Sequence, residues 1–423
     1  MKLLSLGLVR AIIGGLVGAG IGMALVVVVR MAAGLPAWSA APATFVGTFT
    51  GLIGFLFGVG AFDGWLRWVR GRDEGDESPP TRSLTDWTRY MSYDTNHKVI
   101  GVQYIITSLF FMFIAGIFAL LDRIELAAPG RTIMDPGTFN TLVSAHGITM
   151  LAITLLGISG LMNYLLPLML GARDMAFPRL NAFSYWITPP AGVLLVLSVF
   201  VGGFDTGWTA YPPLSTQAAL GMQFMLLGFY IAGFSSIFGG INFITTIFKM
   251  RAPGMSLFRM PIFVWGALAT AILQLVFTQF IGMAFLMVIM ERLLGLGFFV
   301  PEKGGNVILY QHLFWFYSHP AVYIFVLPGL GVISELLPVF TRKPLFGYKG
   351  VAISSLGIAA GGAFVWGHHM FAAGIEDFLR IPFMVTTLLV AVPTGVKVFA
   401  WQSTMWMGKL RHATAFLFIL SAI

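Results

Sequence analysis

Ten long apolar runs fix almost everything else about this chain. They fall near 9–29, 43–68, 98–121, 141–170, 184–204, 217–248, 260–290, 308–339, 347–373 and 381–407. An eleventh starts at about 413 and is still running at Ile423. A helix needs roughly 20 apolar residues to cross the hydrocarbon core of a bilayer, and each of the ten is long enough. Of the 423 residues 57% are hydrophobic and only 10% charged, too little polar surface to cover a soluble core of this size. The expected fold is therefore an all-α polytopic membrane bundle, with about ten complete transmembrane helices and the start of an eleventh. A helix that stops inside hydrocarbon leaves its last carbonyls unsatisfied. The sequence is accordingly expected to be C-terminally truncated, with further helices to follow. At the other end, the apolar run from Ala11 to Val29 follows a Lys-bearing start without an Ala-x-Ala cleavage pattern. It reads as a retained helix rather than a signal peptide.

Three regions are expected. Residues 1–69 form an N-terminal transmembrane hairpin, residues 70–94 a polar linker, and residues 95–423 the core. The linker holds the stretch GRDEGDESPPTRS, which is charged, Pro-bearing and unable to bury an apolar face. The hairpin shows no pattern of buried ionisable residues and is assigned no chemistry. Loop charges orient the bundle. Arg173, Arg179, Lys249, Arg251, Arg259, Arg342, Lys343, Lys349, Lys409 and Arg411 fall on one side with Asp174 the lone acid there. Asp122, Glu125, Asp135, Asp205, Glu291, Glu302, Glu376 and Asp377 fall on the other. By the positive-inside rule the first set, and the linker with it, lies on the inner side. The net charge of +8 follows from those short loops, and without a run of like charges it does not point to nucleic acid.

The chain has no cysteine, so disulfides, iron–sulfur clusters and thiolate metal sites are excluded. Seven histidines remain as candidates for metal chemistry. Four of them, His146, His319, His368 and His369, lie inside apolar runs or at their buried ends, where an ionisable group usually marks a pathway or a cofactor. One such histidine could merely bridge two helices. Four, two of them adjacent, are harder to explain that way, and neutral imidazole suits copper and iron. His319 and Tyr323 are four apart and share a helix face. His368 and His369 would point about 100° apart on a regular α-helix. They can therefore share one ion only if the backbone departs from that geometry, which Gly367 would ease. His97, His312 and His412 are read as interface, loop or helix–helix bonding positions.

Eight stretches resemble subunit I of the haem–copper oxygen reductases, in the A-type group that includes cytochrome c oxidase. They are TNHKVIG at 95–101, AHGITM at 145–150, PLMLGARDMAFPRLN at 167–181, GWTAYPPL at 207–214, SSIFGGINFITT at 235–246, YQHLFWFYSHPAVY at 310–323, WGHHMF at 366–371 and PTGVKVF at 393–399. They follow the family's order from about residue 95 onward, and the N-terminal hairpin lies outside the resemblance. The resemblance implies a subunit that reduces O2 to water at a haem–copper centre in the bacterial inner membrane, with proton uptake and pumping. It also implies a low-spin haem, a high-spin haem of the A type and the copper called CuB. The partners it implies are subunit III, a subunit II that carries CuA if the donor is cytochrome c, and cytochrome c or quinol as donor.

Carried over by matching position, His146 is an axial ligand of the low-spin haem and His319, His368 and His369 are the ligands of CuB. Tyr323 is the catalytic tyrosine crosslinked to the first of these three, and Arg123 the arginine at the low-spin haem's edge. Asp174 matches the entrance of the D-channel, with Asn163, Asn181, Ser184, Ser235, Ser236 and Asn242 higher along it. Lys397, Thr394 and Ser334 match the K-channel leading towards Tyr323. The family's usual Gly-His-Pro-Glu-Val-Tyr reads here Ser318-His319-Pro320-Ala321-Val322-Tyr323, so the glutamate that ends the D-channel is missing. This resembles the subgroup in which a Tyr-Ser pair, here Tyr317 and Ser318, stands in its place. The family's remaining haem ligands form a His-x-His on a later helix, and none occurs after Lys397.

Other readings predict other features. A quinol-oxidising member would differ mainly in its partner subunit. A nitric oxide reductase would lack the tyrosine four residues after the first metal-binding histidine. A proton-coupled transporter would be expected to carry internal repeats, which the chain does not show, and it gives no reason for adjacent histidines.

Overall fold

The computed structural model describes residues 6–71 and 86–423. Most of the expected linker, residues 72–85, therefore lies outside the described residues. Among those residues the chain is helical without strands. The helices are α1 (Gly7–Ala32), α2 (Ala40–Val59), α3 (Asp63–Val69), α4 (His97–Glu125), α5 (Pro136–Leu170), α6 (Pro178–Trp186), α7 (Thr188–Phe200), α8 (Leu214–Gln217), α9 (Leu220–Lys249), α10 (Ile262–Leu294), α11 (Val307–Thr341), α12 (Tyr348–Gly362), α13 (Asp377–Leu389), α14 (Ala391–Met405) and α15 (Thr414–Ala422). Ten stretches among the described residues are long and apolar enough to cross a membrane. Three of the ten are composite: α6 with α7, α12 with the turn after it, and α13 with α14.

One apolar run is broken where the sequence pattern ran on. The run at 43–68 becomes α2 and the short α3, because Gly60 closes α2 in the left-handed conformation at φ 92°. That is a helix cap glycine adopts without strain. The eleventh run becomes α15, which packs Phe416 and Ile419 against Leu337 of α11 and Trp401 of α14.

The chain divides into two compact units. The first comprises Met1–Tyr164, Phe177–Ser236 and Ala284–Val307. In it α1 and α2 meet through glycine. A Cβ added to Gly14 would strike the carbonyl of Gly54, and one added to Gly54 would strike that of Gly14. Small residues let helix backbones approach this closely in lipid, where apolar side chains alone give no net drive to associate. The hairpin docks on its own unit through α2. Gln223 of α9 donates to the carbonyl of Ala41 at 2.7 Å and to Thr44 Oγ1 at 2.8 Å, and Phe55 packs on Trp186. The segment before α4 is pinned by a buried ion pair, Arg89 to Asp94 at 2.9 Å. Nearby, the Tyr93 hydroxyl donates to the Arg179 carbonyl at 2.8 Å. Burial pushes the Tyr93 phenol well above its ordinary value, so it stays protonated as that donor.

The second unit comprises Leu165–Ala176, Ile237–Met283 and Ile308–Ile423. Its longest element, α11, runs unbroken through Pro320, Pro328 and Pro338. Proline is tolerated inside membrane helices where neighbours satisfy the carbonyls it frees. Glu335 of α11 accepts from the backbone N–H of Phe263 at 3.0 Å, capping the start of α10. Trp265 of α10 donates to the Tyr348 hydroxyl at the start of α12. These contacts hold α10, α11 and α12 around the residues described next.

Candidate metal centre

Three imidazoles of the second unit converge. His319, His368 and His369 each offer a ring nitrogen, and the three nitrogens lie within 4.8 Å of one another. His319 comes from mid-α11 and is buried, while His368 is half-buried and His369 exposed, so the cluster has an open side. The two adjacent histidines can join it because Trp366–Met370 winds as a 3₁₀ turn rather than an α-helix. The departure from α geometry is the expected one, but the role of Gly367 differs. Its space is filled by the Phe383 ring of α13, whose Cγ would stand 2.5 Å from an added Cβ. The glycine gives room rather than backbone freedom.

The donor set fits one metal ion. His319 Nδ1 and His369 Nε2 are 3.1 Å apart. Two imidazole nitrogens each about 2 Å from one ion, at an angle near 100°, stand about 3 Å apart. The Nδ1 of His368 lies 2.9 Å from Thr387 Oγ1, and that hydroxyl donates its own proton to the Phe383 carbonyl at 2.6 Å. Thr387 therefore accepts from His368 Nδ1–H, which leaves the Nε2 lone pair of His368 for a metal. The other nitrogen of His319, Nε2, is buried with no hydrogen-bond partner.

Tyr323 stands beside this cluster, its ring centroid 4.9 Å from that of His319. An added Cβ on Gly362 of α12 would run into the Tyr323 ring, so glycine there reserves the phenol's position. Trp315, which the sequence reading passed over, stacks flat on His369 at 3.8 Å between centroids. Its spacing of four residues before His319 was the available signal. Thr387 was also missed. His312 accepts from Trp366 Nε1 at 3.2 Å, and His97 bonds the Asn163 carbonyl at 2.9 Å. Both are the bonding positions expected of them.

In the first unit, His146 of α5 is half-buried, with Nδ1 2.9 Å from the Ala115 carbonyl of α4. A carbonyl only accepts, so Nδ1 carries the proton and Nε2 keeps the lone pair that an iron would need. Arg123 lies in the last turn of α4 and is exposed, next to the buried Asp122. Asp122 and Glu291, expected in outer loops, are instead buried residues within α4 and α10.

Residues 99–423 match the family described as Cytochrome C and Quinol oxidase polypeptide I. The chain belongs to that family. It is 48% identical over 337 residues to cytochrome c oxidase subunit 1 of Thermostichus vulcanus, covering 79% of this chain and 61% of that one. Identity to the Synechocystis protein of the same name is 49% over 334 residues, covering 78% and 61%. The Bacillus subtilis protein of that name is 40% identical over 348 residues, covering 81% and 55%. The chain thus spans between 55% and 61% of the length of these relatives. Family membership together with the ten apolar helices makes it an integral membrane protein. The family is that of the haem–copper oxidases, and the three-histidine cluster is compatible with its copper.

The polar residues matched to the oxidases' proton routes divide between the units. In the first, Ser184 and Ser235 both bond the Tyr104 hydroxyl, at 3.0 and 2.8 Å, making Tyr104 the centre of a buried cluster that the sequence reading did not name. Ser236 is buried beside its neighbour. Asn163 and Asn181 are each 1% exposed, yet Asn163 Oδ1 and both amide atoms of Asn181 have no partner. Buried amides in that state are the ones ordered water satisfies. In the second unit, Asp174 is half-buried and accepts from the N–H of Met175, while Asn242 is fully buried. Tyr317 is buried and Ser318 half-buried on α11.

The three residues matched to the K-channel are all in the second unit. Ser334 accepts from Trp401 Nε1 at 2.9 Å and donates to the Leu330 carbonyl. Thr394 donates to the Val390 carbonyl at 2.9 Å. Lys397 is buried, with Nζ donating to the Val351 carbonyl at 3.1 Å and to Ser355 Oγ at 2.8 Å. Its hydrogen bonds therefore run to α12 rather than to Ser334 or Thr394. Ser355 is another residue the sequence reading did not name.

Proposed function

We propose that this chain is the O2-reducing subunit of a proton-translocating terminal oxidase of the bacterial inner membrane, taking electrons from cytochrome c. The observation that carries the reading is the convergence of His319, His368 and His369 on one ion-sized space beside Tyr323. When bound, two haems and a copper supply the one-electron and oxygen chemistry. His319, His368 and His369 would hold the copper, and His146 one axial position of the low-spin haem, with Arg123 at that haem's edge. The haems are of the A type on this reading, and subunits II and III complete the complex.

The protein's own part is positioning and proton supply. The Trp315 ring fixes the plane of His369, and Thr387 fixes the tautomer of His368. Tyr323 supplies a proton and an electron. A crosslink between Tyr323 and His319 finds support in His319 Nε2. Joining that atom to a ring carbon of Tyr323 would replace an N–H and a C–H bond with one C–N bond, the two electrons and two protons passing to O2 as oxidant, and Nε2 has no hydrogen-bond partner to give up. Protons reach the site from the inner face, where the basic loops lie. The residues for one route are Asp174, Asn242, Tyr317 and Ser318 of the second unit and Asn163, Asn181, Ser184, Ser235 and Ser236 of the first. A second carries Lys397, Thr394 and Ser334 towards Tyr323. Hydroxyls at Tyr317 and Ser318 relay a proton where most relatives of this type hold it on a glutamate.

The test is the intact complex carrying His368→Asn, with copper and haem iron measured by elemental analysis and O2 consumption followed with reduced cytochrome c and, separately, with a quinol. Copper falls relative to haem iron, the haem spectrum persists, and consumption ceases. A variant that keeps its copper and its turnover would overturn the proposal. Consumption driven by quinol alone would move the donor to quinol.

A further inference from the structure

Lys397 is 2% exposed inside a stretch that spans the membrane, and its two hydrogen-bond acceptors both belong to one turn of α12. One is the Val351 carbonyl and the other the Ser355 hydroxyl, four residues on. Ser355 is itself 2% exposed, and its Oγ donates to the same Val351 carbonyl at 3.2 Å. These partners are not equivalent. An ammonium has three donors and no acceptor, so while Lys397 is protonated Ser355 can only accept from it, and the hydroxyl hydrogen goes to Val351. Once the proton leaves, the amine nitrogen gains a lone pair. A backbone carbonyl has nothing to donate to it, whereas the hydroxyl can rotate and donate. The neutral amine still donates to Val351, but Ser355 is the one of the two partners that can also serve its lone pair, accepting from the nitrogen when charged and donating to it when neutral. Ser334 and Thr394, the hydroxyls matched to this route in sequence, are engaged with Trp401, Leu330 and Val390 instead.

We propose that Ser355 is the positioning residue of Lys397, keeping Nζ against α12 whether the amine is protonated or neutral. The proposal rests on the reading of Lys397 as a proton carrier towards Tyr323. Without the hydroxyl, the lone pair of the neutral amine has no donor and the charged form loses its closer acceptor, leaving Val351 alone to hold the nitrogen, so proton transit through Lys397 slows in a pH-dependent way.

The experiment uses the assembled oxidase, with haem absorbance spectra confirming assembly of each variant. Anaerobic stopped-flow absorbance follows reduction of the high-spin haem from neutral to alkaline pH. Ser355→Ala is expected to slow that step roughly tenfold, the factor a hydrogen bond to a charged group is worth, and to change its pH profile. Ser355→Thr, which restores the hydroxyl, recovers both. If the alanine variant does not assemble, Ser355→Cys, similar in volume but a poor hydrogen-bonding partner, takes its place in the comparison. Lys397→Met separates the two levels of the argument. A slow Lys397→Met beside a Ser355→Ala of normal rate and profile overturns the role of Ser355 alone. A Lys397→Met of normal rate overturns the proton-carrier reading and this proposal with it. Equal slowing by alanine and threonine makes the effect one of packing and also overturns the proposal.

Discussion

Thr387→Val is the sharpest probe of the metal centre because it changes one hydrogen bond and almost no volume. In the native chain Thr387 Oγ1 stands 2.9 Å from His368 Nδ1 and 2.6 Å from the Phe383 carbonyl. The second contact consumes the hydroxyl proton, so the first can only be His368 donating. Valine keeps the β-branched shape on α13 but offers His368 no acceptor. The imidazole N–H then lacks a partner in a half-buried position, at about 1–3 kcal/mol. Rotating the ring to recover a partner would turn Nε2 away from the nitrogens of His319 and His369. Either way the cost falls on metal binding, and loss of such outer-shell partners typically weakens affinity about 10–100-fold. The assay is copper retention by the purified complex during dialysis against a graded chelator, with haem absorbance as the control for folding. Thr387→Ser, which keeps the hydroxyl, should retain copper like the parent. Undiminished retention by Thr387→Val would refute the argument that Thr387 sets the tautomer of His368.

Three further outcomes are expected. Gly54→Leu should cost about 1–3 kcal/mol, the usual range for forcing extra volume into a packed contact, seen as a lower thermal midpoint in detergent. Gly20→Leu, at a position with no atom within 4 Å of an added Cβ, should leave the midpoint unchanged. Tyr317→Phe should slow proton delivery, and unchanged turnover with unchanged proton stoichiometry would remove the residue from the route. At the N-terminal end of α5, Asp135 accepts from the Thr138 hydroxyl at 2.6 Å and from the backbone N–H groups of Gly137 and Thr138. The Thr138 hydroxyl first, and those amides after it, hold its carboxyl below the usual carboxylate range. Its capping contribution is therefore complete above the unfolded value of about 3.9 and is lost as pH falls through the depressed folded one. Protection of the Gly137 and Thr138 amides against hydrogen exchange, taken relative to the intrinsic rate at each pH, should hold at neutral pH and fall in that acid window. Asp135→Ala should lower that protection at every pH.

Much of the fold was legible because hydrocarbon permits so few answers. A run of apolar residues in lipid must satisfy its own backbone groups, so length and composition sufficed to name ten spans. What they could not supply was the local break. Gly60 ends α2 at a left-handed cap although the apolar run continues to residue 68, since hydropathy carries no information about φ. Asp122 and Glu291 read as loop acids for a related reason. They sit in the last turn of their helices, and only the three-dimensional packing shows that each is covered.

At the site, the legible residues were those whose chemistry is rare at that depth. An imidazole in a membrane span demands an explanation, so His319, His368 and His369 stood out from sequence. Ser355, Thr387 and Tyr104 did not, because a hydroxyl in a membrane helix usually bonds the carbonyl one turn back. All but one of the serines and threonines matched to the K-channel or found beside it do so: Ser334 to Leu330, Thr394 to Val390, Ser355 to Val351 and Thr387 to Phe383, while Ser354 bonds Val351 three residues back. The back-bond is common to residues with and without a second partner. Ser334 receives an indole N–H from Trp401, whereas what reaches Ser355 and Thr387 from another helix or turn is a nitrogen that titrates or can bind a metal, Lys397 Nζ in one case and His368 Nδ1 in the other. For Thr387 the 2.6 Å back-bond fixes the hydroxyl as an acceptor towards His368, and for Ser355 the longer 3.2 Å back-bond does so while Lys397 is charged, so an unremarkable local habit becomes the means of orienting a titratable or metal-binding group. Sequence spacing records the habit, and only tertiary contact records its use.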